Sequence, residues 1–165
     1  MKRREFITFL GGATAWPLAA RAQQPNRMRR IGVLMAYAEI DSEAQAYVAV
    51  FRETLQKLGW KEGHDIEILP RWAALGLEAT QRFAKELVAL QPDLVLSHST
   101  PTTAALLEQT RSIPIIFGIV SDPVGSGFVA SLSRPGGNAT GFTNIVDSMV
   151  GKWMDGAAQG NCAAR

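Results

Sequence analysis

The amino-acid sequence predicts an α/β fold, a doubly wound parallel sheet with helices on both faces. Short apolar runs typical of buried strands recur at residues 31–35, 94–96 and 115–120. The segments between them place apolar residues at three- and four-residue steps, the period of an amphipathic helix. The run over residues 113–127 then changes abruptly from apolar to polar and turn residues, as at a strand that ends in a binding loop. Right-handed crossovers favour a flavodoxin-like strand order.

The first strand and the first helix follow from residues 31–35 and 42–58. Ser42 is the expected N-cap of the helix, and Gly59 is the expected stop just past its end. Five apolar residues share one face of this helix and are expected to face the core: Ala46, Val50, Phe51, Leu55 and Leu58.

Residues 66–72 predict a second strand. Because Pro70 cannot donate to a strand ladder, this strand is expected at an edge of the sheet. Residues 77–90 return to helical spacing, and Pro92 ends that helix.

The third strand is expected over residues 94–96. Thr100 is the expected N-cap of the helix that follows, with Pro101 at its first helical position. The remaining expected elements are a strand over residues 115–120, a short helix over residues 128–132 and a fifth strand from residue 140.

The composition is that of a globular domain of ordinary size, with 165 residues, 47% of them apolar and 19% charged. Removal of residues 1–22 lowers the 17 basic and 15 acidic residues to 13 and 14, which leaves no basic stripe for nucleic acid. Cys162 has no partner for a disulfide or a metal site. No stretch is long and apolar enough to span a membrane.

Residues 1–22 have the features of an export signal: a charged start, a weakly apolar middle and the small-residue cleavage site Ala20-Arg21-Ala22. The pair Arg3-Arg4 indicates a twin-arginine signal, which exports folded proteins. We therefore expect a periplasmic protein cleaved near Ala22, with residues 23–29 as a linker. The alternative, an amphipathic helix of the mature domain, is opposed by internal glycine and proline residues.

Three loops leave the carboxyl ends of the predicted strands, and in the expected strand order they surround one cleft. The middle loop ends at a helix N-terminus, where free backbone donors and the positive end of the dipole favour a carboxylate or another anion. Thr100 caps that helix whether or not a ligand binds. The loops cover residues 35–41, 97–103 and 121–127.

Two loop residues each allow two interpretations. Asp122 either orients a ligand amine or closes an Asp-Pro turn. Tyr37 either stacks on a ligand or packs under the rim of the cleft. His64 and His98 have no acidic or cysteine partner at a recognisable spacing, so both are interpreted as surface or loop histidines.

Sequence motifs of enzymes are missing from the chain: it has no dinucleotide fingerprint, no phosphate-binding loop and no nucleophile turn. A hydrolytic set of Asp147, Ser148 and His98 has no support in their spacing. The sequence thus predicts neither an enzyme nor a cofactor nor a metal. Two alternatives from other classes stay open, a small exported flavodoxin-like enzyme and a ligand-sensing regulatory lobe.

Several segments together resemble the ABC-transporter substrate-binding proteins of the TrpX-like group, over residues 1 to about 153. The most specific are Ser121-Asp122-Pro123-Val124-Gly125 and Arg134-Pro135-Gly136-Gly137-Asn138-Ala139-Thr140-Gly141. The others are the signal peptide, the strand Arg30-Ile31-Gly32-Val33-Leu34 and the turn Leu58-Gly59-Trp60.

The resemblance implies a periplasmic receptor with a type I periplasmic-binding-protein fold, which closes two lobes on a small organic solute, in some members an aromatic amino acid. Its implied partner is an ABC permease of the inner membrane, and the chain itself is not membrane-spanning. The ligand positions that the resemblance implies are Ala36, Tyr37, Ser99, Thr100, Pro101, Thr102, Ser121, Asp122 and Pro123.

The end of the chain departs from the family pattern. Residues 30–153 correspond to the amino-terminal lobe alone, and residues 154–165 form a small, polar and aperiodic tail, interpreted as disordered or frameshifted. A second lobe is therefore expected to be missing, which indicates a truncated receptor. Such a lobe is expected to bind weakly and to expose an apolar patch.

Overall fold

The structure is a computed structural model that describes residues 27–74 and 76–145. Within these ranges five parallel strands form one sheet in the order β2-β1-β3-β4-β5, which confirms the predicted fold class and strand order. The strands are β1 (Arg29–Met35), β2 (Ile66–Trp72), β3 (Leu94–His98), β4 (Ile115–Ser121) and β5 (Ala139–Ile145). The helices are α1 (Ser42–Lys57), α2 (Leu77–Ala89) and α3 (Thr100–Gln109).

Several expectations lie outside the described residues: the export signal, most of the linker over residues 23–29, the last part of the lobe over residues 30–153 and the tail over residues 154–165. In the part of the chain that is described, no helix has the length and apolar character needed to cross a bilayer. The predicted edge position of β2 is confirmed, since its ladder runs along β1 alone.

One face of the sheet packs against α2 and α3. Alternate residues of the central strands point to this face, and Val95, Ile115 and Phe117 are at most 1% exposed there. Leu87 of α2 and Leu106 of α3 are fully buried against them. Burial of each such side chain contributes about 1.5–3 kcal/mol, so this layer dominates the stability of the domain.

The opposite face packs against α1, but through a different helix face from the one predicted. Ala44 and Val48 are the buried residues of α1, with Phe51 and Leu55 partly buried beside them, whereas Val50 is 61% exposed. Two apolar stripes run along this helix, one beginning at Ala44 and the other at Ala46, and both continue through Phe51 and Leu55. Spacing alone therefore does not identify the buried stripe. The prediction that Ala46, Val50 and Leu58 face the core is wrong.

Two helix starts also differ from the prediction. Asp41, not Ser42, is the N-cap of α1, because its carboxylate accepts hydrogen bonds from the amides of Glu43 and Ala44 at 2.9 and 3.0 Å. Ser99 is the N-cap of α3, so Thr100 and Pro101 are its first two residues. The reason is that β3 continues to His98, two residues beyond its predicted end, and leaves a shorter connection.

The predicted helix over residues 128–132 is not observed. Residues 123–138 form turns and irregular structure, in which Phe128 donates its amide to the carbonyl of Pro123 at 2.9 Å. Ala130 donates to the carbonyl of Pro135 at 2.8 Å. These bonds span five residues along the chain and use amides that a helix would pair with the carbonyl four residues earlier.

Candidate functional site

The carboxyl edge of the sheet has a switch point between β1 and β3. These strands are hydrogen-bonded neighbours, with Leu34 opposite Ser97, but their connections leave in opposite directions, to β2 through α1 and to β4 through α3. In open α/β sheets the crevice at such a point is the usual place for a ligand. Tyr37, after β1, and His98, at the end of β3, meet there with ring centroids 4.9 Å apart.

The hydroxyl groups between β3 and α3 bond to one another and to the backbone carbonyls of His98 and Ser99. The Ser97 hydroxyl lies 2.9 Å from the hydroxyls of Thr102 and Thr103, and all three residues are buried. Thr103 also donates its hydroxyl to the carbonyl of Ser99 at 2.8 Å. This network holds Ser99 at a φ of 87°, in the left-handed region, and so determines where α3 begins.

The first turn of α3 has no side-chain cap. Ser99 makes no side-chain capping bond to the first turn of the helix, and Ser99 and Thr100 are half-buried while Pro101 is exposed. The amide of Ser121 donates to the Thr100 hydroxyl at 3.3 Å, which ties this end of the helix to the end of β4. Free amides and the positive end of the helix dipole suit a carboxylate at this position.

The loop after β4 is held by Asp122. Its carboxylate accepts the amide of Gly125 at 2.8 Å, and its φ is 42°, so the structure supports the turn-closing interpretation of this residue. A Cβ on Gly125 would overlap the carboxylate of Asp122, which explains the glycine. Pro123 is buried, and the Ser121 hydroxyl donates to the amide oxygen of Asn144 at 3.3 Å.

Three rings, Tyr37, Tyr47 and His98, form an aromatic cluster at the switch point. The Tyr47 ring lies 6.0 Å from the His98 ring with 25° between the planes, and 6.4 Å from the Tyr37 ring. Tyr47 donates its hydroxyl to Glu43 at 2.6 Å, and this hydrogen bond raises the pKa of Tyr47. Burial and then the charge of Glu43 raise the pKa of Tyr37. Tyr37 is half-buried, with its ring against those of Tyr47 and His98.

His98 is not the surface or loop histidine that the sequence predicted. It is the last residue of β3, and both ring nitrogens are shielded from solvent without a hydrogen-bond partner of normal geometry in the described residues. Burial lowers the pKa of His98 below its ordinary value, which favours the neutral ring. His64, by contrast, is exposed and lies 2.8 Å from Asp65.

An apolar cavity of about 150 Å³ lies between α1 and the sheet, beside the aromatic cluster. β4 contributes to it through a bulge. Phe117 pairs with Gly141 and Val120 with Thr143, so β4 advances by three residues where β5 advances by two. Ile119 has a φ of 55° at this bulge, unusual for a β-branched residue. The cavity is lined by Met35, Val48, Phe51, Leu96, His98 and Ile119, among others.

A larger cavity of about 460 Å³ lies at the carboxyl end of the edge strand β2, lined by Arg71, Trp72 and Phe83 among others. Its lining includes Ala38 and Glu39 of the loop after β1, and none of the predicted ligand residues lines either cavity. We assign the candidate site to the smaller cavity because Ser97 and His98, at the carboxyl end of β3, line it.

The structure brings most of the predicted ligand residues to one edge of the sheet. Tyr37, Ser99, Thr100 and Ser121 have side chains near its surface, whereas Thr102 and Pro123 are fully buried. Sequence reasoning missed His98, Tyr47 and Ile119. A signal for His98 existed: extended by two residues, β3 alternates Leu94, Leu96 and His98 on the α1 face. A ligand role for Ala36, Tyr37, Ser99, Thr100, Pro101, Thr102, Ser121, Asp122 and Pro123 stays a prediction.

Comparison with known proteins identifies substrate-binding proteins among the relatives of this chain. A tyrosine-binding protein of Clostridioides difficile (strain R20291) is 33% identical over 123 residues, which cover 73% of this chain and 34% of that protein. The ligand-free, open structure of a substrate binding protein with adhesive properties from Clostridium difficile has 32% identity and a TM-score of 0.66, over 72% of this chain and 40% of that one.

A third relative, the ABC domain in complex with L-Trp from Streptococcus pneumonia, has 27% identity and a TM-score of 0.64, over 71% of this chain and 39% of that one. The chain therefore spans 34–40% of the length of these relatives. Residues 31–150 match the model of the family described as ABC transporter substrate binding protein. The chain belongs to the ABC transporter substrate binding protein family.

Proposed function

We propose that this chain is the solute-binding component of an ABC uptake transporter and that its solute is a small organic molecule such as an aromatic amino acid. Family membership supports the link to a transporter. The names of two relatives support the solute class, since one is a tyrosine-binding protein and another was solved with L-Trp. The relatives are substrate-binding proteins, and the proposal contains no chemical step.

The observation that carries the proposal is that the apolar cavity and the N-terminus of α3 lie next to each other. His98 and Ser97 line the apolar cavity, and the next residues, Ser99 and Thr100, form the N-terminus of α3. An amino acid needs both surfaces, one for its carboxylate and one for its side chain. In the proposed complex the carboxylate lies at the helix N-terminus and the ring lies in the cavity.

Among the predicted residues, Tyr37, Ser99 and Thr100 are the proposed direct contacts. Thr102 and Pro123 act by shaping the loops, because their side chains have no exposed surface. This lobe supplies one wall of the site, and closure of a second lobe buries the solute in two-lobe receptors. We therefore expect the described lobe alone to bind its solute less tightly than a two-lobe relative does.

The proposed place of action is the periplasm. Residues 1–22 are the proposed export signal, cleaved near Ala22, and the proposed partner is a permease of the inner membrane. Substrate-binding proteins of ABC importers are typically exported, which supports this location.

Isothermal titration calorimetry with an amino-acid panel tests the proposal. L-tyrosine or L-tryptophan is expected to bind, and the matching amine without the carboxylate, tyramine or tryptamine, is expected to bind about tenfold more weakly or worse, because charge-assisted hydrogen bonds at the helix N-terminus are lost. Binding by none of the panel would contradict the solute class. Equal binding of the acid and the amine would contradict the carboxylate position.

A further inference from the structure

The unpaired imidazole of His98 is the least explained feature of the site. More than nine in ten buried polar groups in proteins have a hydrogen-bond partner, and each exception needs a reason. Nothing in the aromatic cluster provides one, because the Tyr37 and Tyr47 rings face His98 as rings, and the Tyr47 hydroxyl is bonded to Glu43. Ser97, the adjacent polar residue of the cavity, already bonds to Thr102 and Thr103.

The cavity next to His98 has the size and character for one ring. It measures about 150 Å³ and is lined mainly by aliphatic and aromatic side chains. An apolar cavity of roughly this size in another protein takes up benzene. A six-membered ring inside it would lie against His98. The ring nitrogens of His98 are the polar atoms of the cavity that have no hydrogen-bond partner among the described residues.

We propose that His98 is a specificity-determining residue, which selects solutes whose ring carries a hydrogen-bonding group, such as a phenol hydroxyl or an indole N–H, over a plain hydrocarbon ring. This inference rests on the proposed function and adds the chemistry of the side chain that is bound. A neutral imidazole has one donor and one acceptor nitrogen, so it pairs with either group.

Access to the imidazole requires one tyrosine to move, since both nitrogens are shielded in this state. Tyr37 is the ring that moves in our proposal, because it lies on the loop after β1, whereas Tyr47 lies within the helix α1. Both tyrosine hydroxyls interact with Glu43. The incoming ring enters the cavity beside His98, Tyr37 moves away from the imidazole, and the polar group of the ring supplies the missing hydrogen bond.

The test compares each ring with an analogue that lacks its polar hydrogen: L-tyrosine with L-phenylalanine, and L-tryptophan with 1-methyl-L-tryptophan. Calorimetry on the whole chain is expected to give a preference of about threefold to tenfold for the polar ring. His98→Leu is expected to abolish this preference, so that each polar ring binds no more tightly than its analogue. His98→Gln retains part of the preference, because an amide also donates and accepts.

Controls separate the possible failures. His64→Leu changes an exposed histidine at the other end of the sheet and should leave the preference intact. The ¹⁵N shifts of the His98 ring in the unmodified protein should move with the polar ligand and not with its analogue, a readout that does not depend on the folding of any variant. Failure of every ligand to bind would reject the proposed function. Binding without a preference, or a preference that survives in a folded His98→Leu variant, would overturn the role of His98.

Discussion

The two faces of the sheet differ in how completely they are packed. The face under α2 and α3 draws buried side chains from β1, β3, β4 and β5, including Phe117 and Val120. The buried cluster under α1 has members from β1 and β2, partly buried ones from β3, and none from β4 or β5 among the described residues. On that side Ile119 is 42% exposed and Phe142 is 78% exposed.

The difference between the two faces suggests that stability and ligand binding depend on different sides of the sheet. The packed face holds the domain together, while the α1 face contains the cavity, the bulge at Ile119 and the unpaired ring of His98. Features that cost stability thus collect where a ligand has room to bind, as expected for functional sites.

The largest expected effect sets one face against the other. Leu106→Ala removes a side chain with 0% exposure from the packed face and should lower the free energy of unfolding by about 3 kcal/mol. Phe142→Ala removes a larger side chain from the open face and should change it by less than about 0.5 kcal/mol. Urea denaturation of both variants measures the difference, and equal losses would refute the distinction between the faces.

The second prediction concerns the close approach of the paired strands β4 and β5. A Cβ on Gly141 would overlap the carbonyl oxygen of Phe117 and lie 2.7 Å from its ring carbon Cδ2. Gly141→Ala should therefore cost about 2 kcal/mol or more, since two backbones must separate. Gly137→Ala is the matched control, because a Cβ there meets no atom within 4 Å. If both variants unfold at the same urea concentration as the parent, the close packing of the two strands is wrong.

A smaller effect is expected at the bulge. Ile119→Gly relieves the strain of a φ of 55°, which offsets the entropy cost of a glycine in a strand, and should leave the free energy of unfolding within about 1 kcal/mol of the parent. The same change should weaken solute binding, because the cavity loses part of its wall. Ile116→Gly, in the same strand with ordinary backbone geometry, has no such offset and should destabilise the fold by more. Equal losses of stability in the two variants would argue against strain at the bulge.

The smallest effect is a pH dependence. Burial lowers the pKa of His98 below its ordinary value of 6.5, so the unfolded chain takes up a proton that the folded protein resists. Stability should therefore fall as the pH drops below 6.5, and His98→Leu should flatten this part of the profile. Asp93, whose pKa is lowered chiefly by the Arg30 amide, loses its contribution at lower pH in both proteins. Thermal melts of the parent protein and of His98→Leu at a series of pH values measure this difference. Parallel stability profiles for the two proteins would contradict the prediction.

Much of the fold follows from local patterns. The observed bounds of β2, Ile66–Trp72, match the prediction, because turn residues flank a short alternating run. The buried stripe of α1 could not be predicted, since it depends on the capping of the helix by Asp41 and on contacts with β1 and β2. Periodicity identifies that a helix is amphipathic more reliably than it identifies which of two apolar stripes is buried.

The site was less predictable than the fold. The hydroxyl-rich segment pointed to the carboxyl edge of the sheet, where the candidate site lies, but Thr102 proved to be buried in a network with Ser97. His98 was missed because a strand was expected to end with its last apolar residue, Leu96, and the functional end of β3 is polar. Tyr47 comes from a helix turn distant in sequence, and only the tertiary fold places it beside His98.

The central claim is that the solute binds at the switch point, between the N-terminus of α3 and the cavity under α1. A ¹H–¹⁵N NMR titration of the whole chain with L-tyrosine or L-tryptophan tests it directly. The account predicts the largest shift changes at Tyr37, His98, Thr100 and Ile119. Changes concentrated at the opposite edge, around Trp60 and Asp93, or at the cavity beside β2, would contradict it.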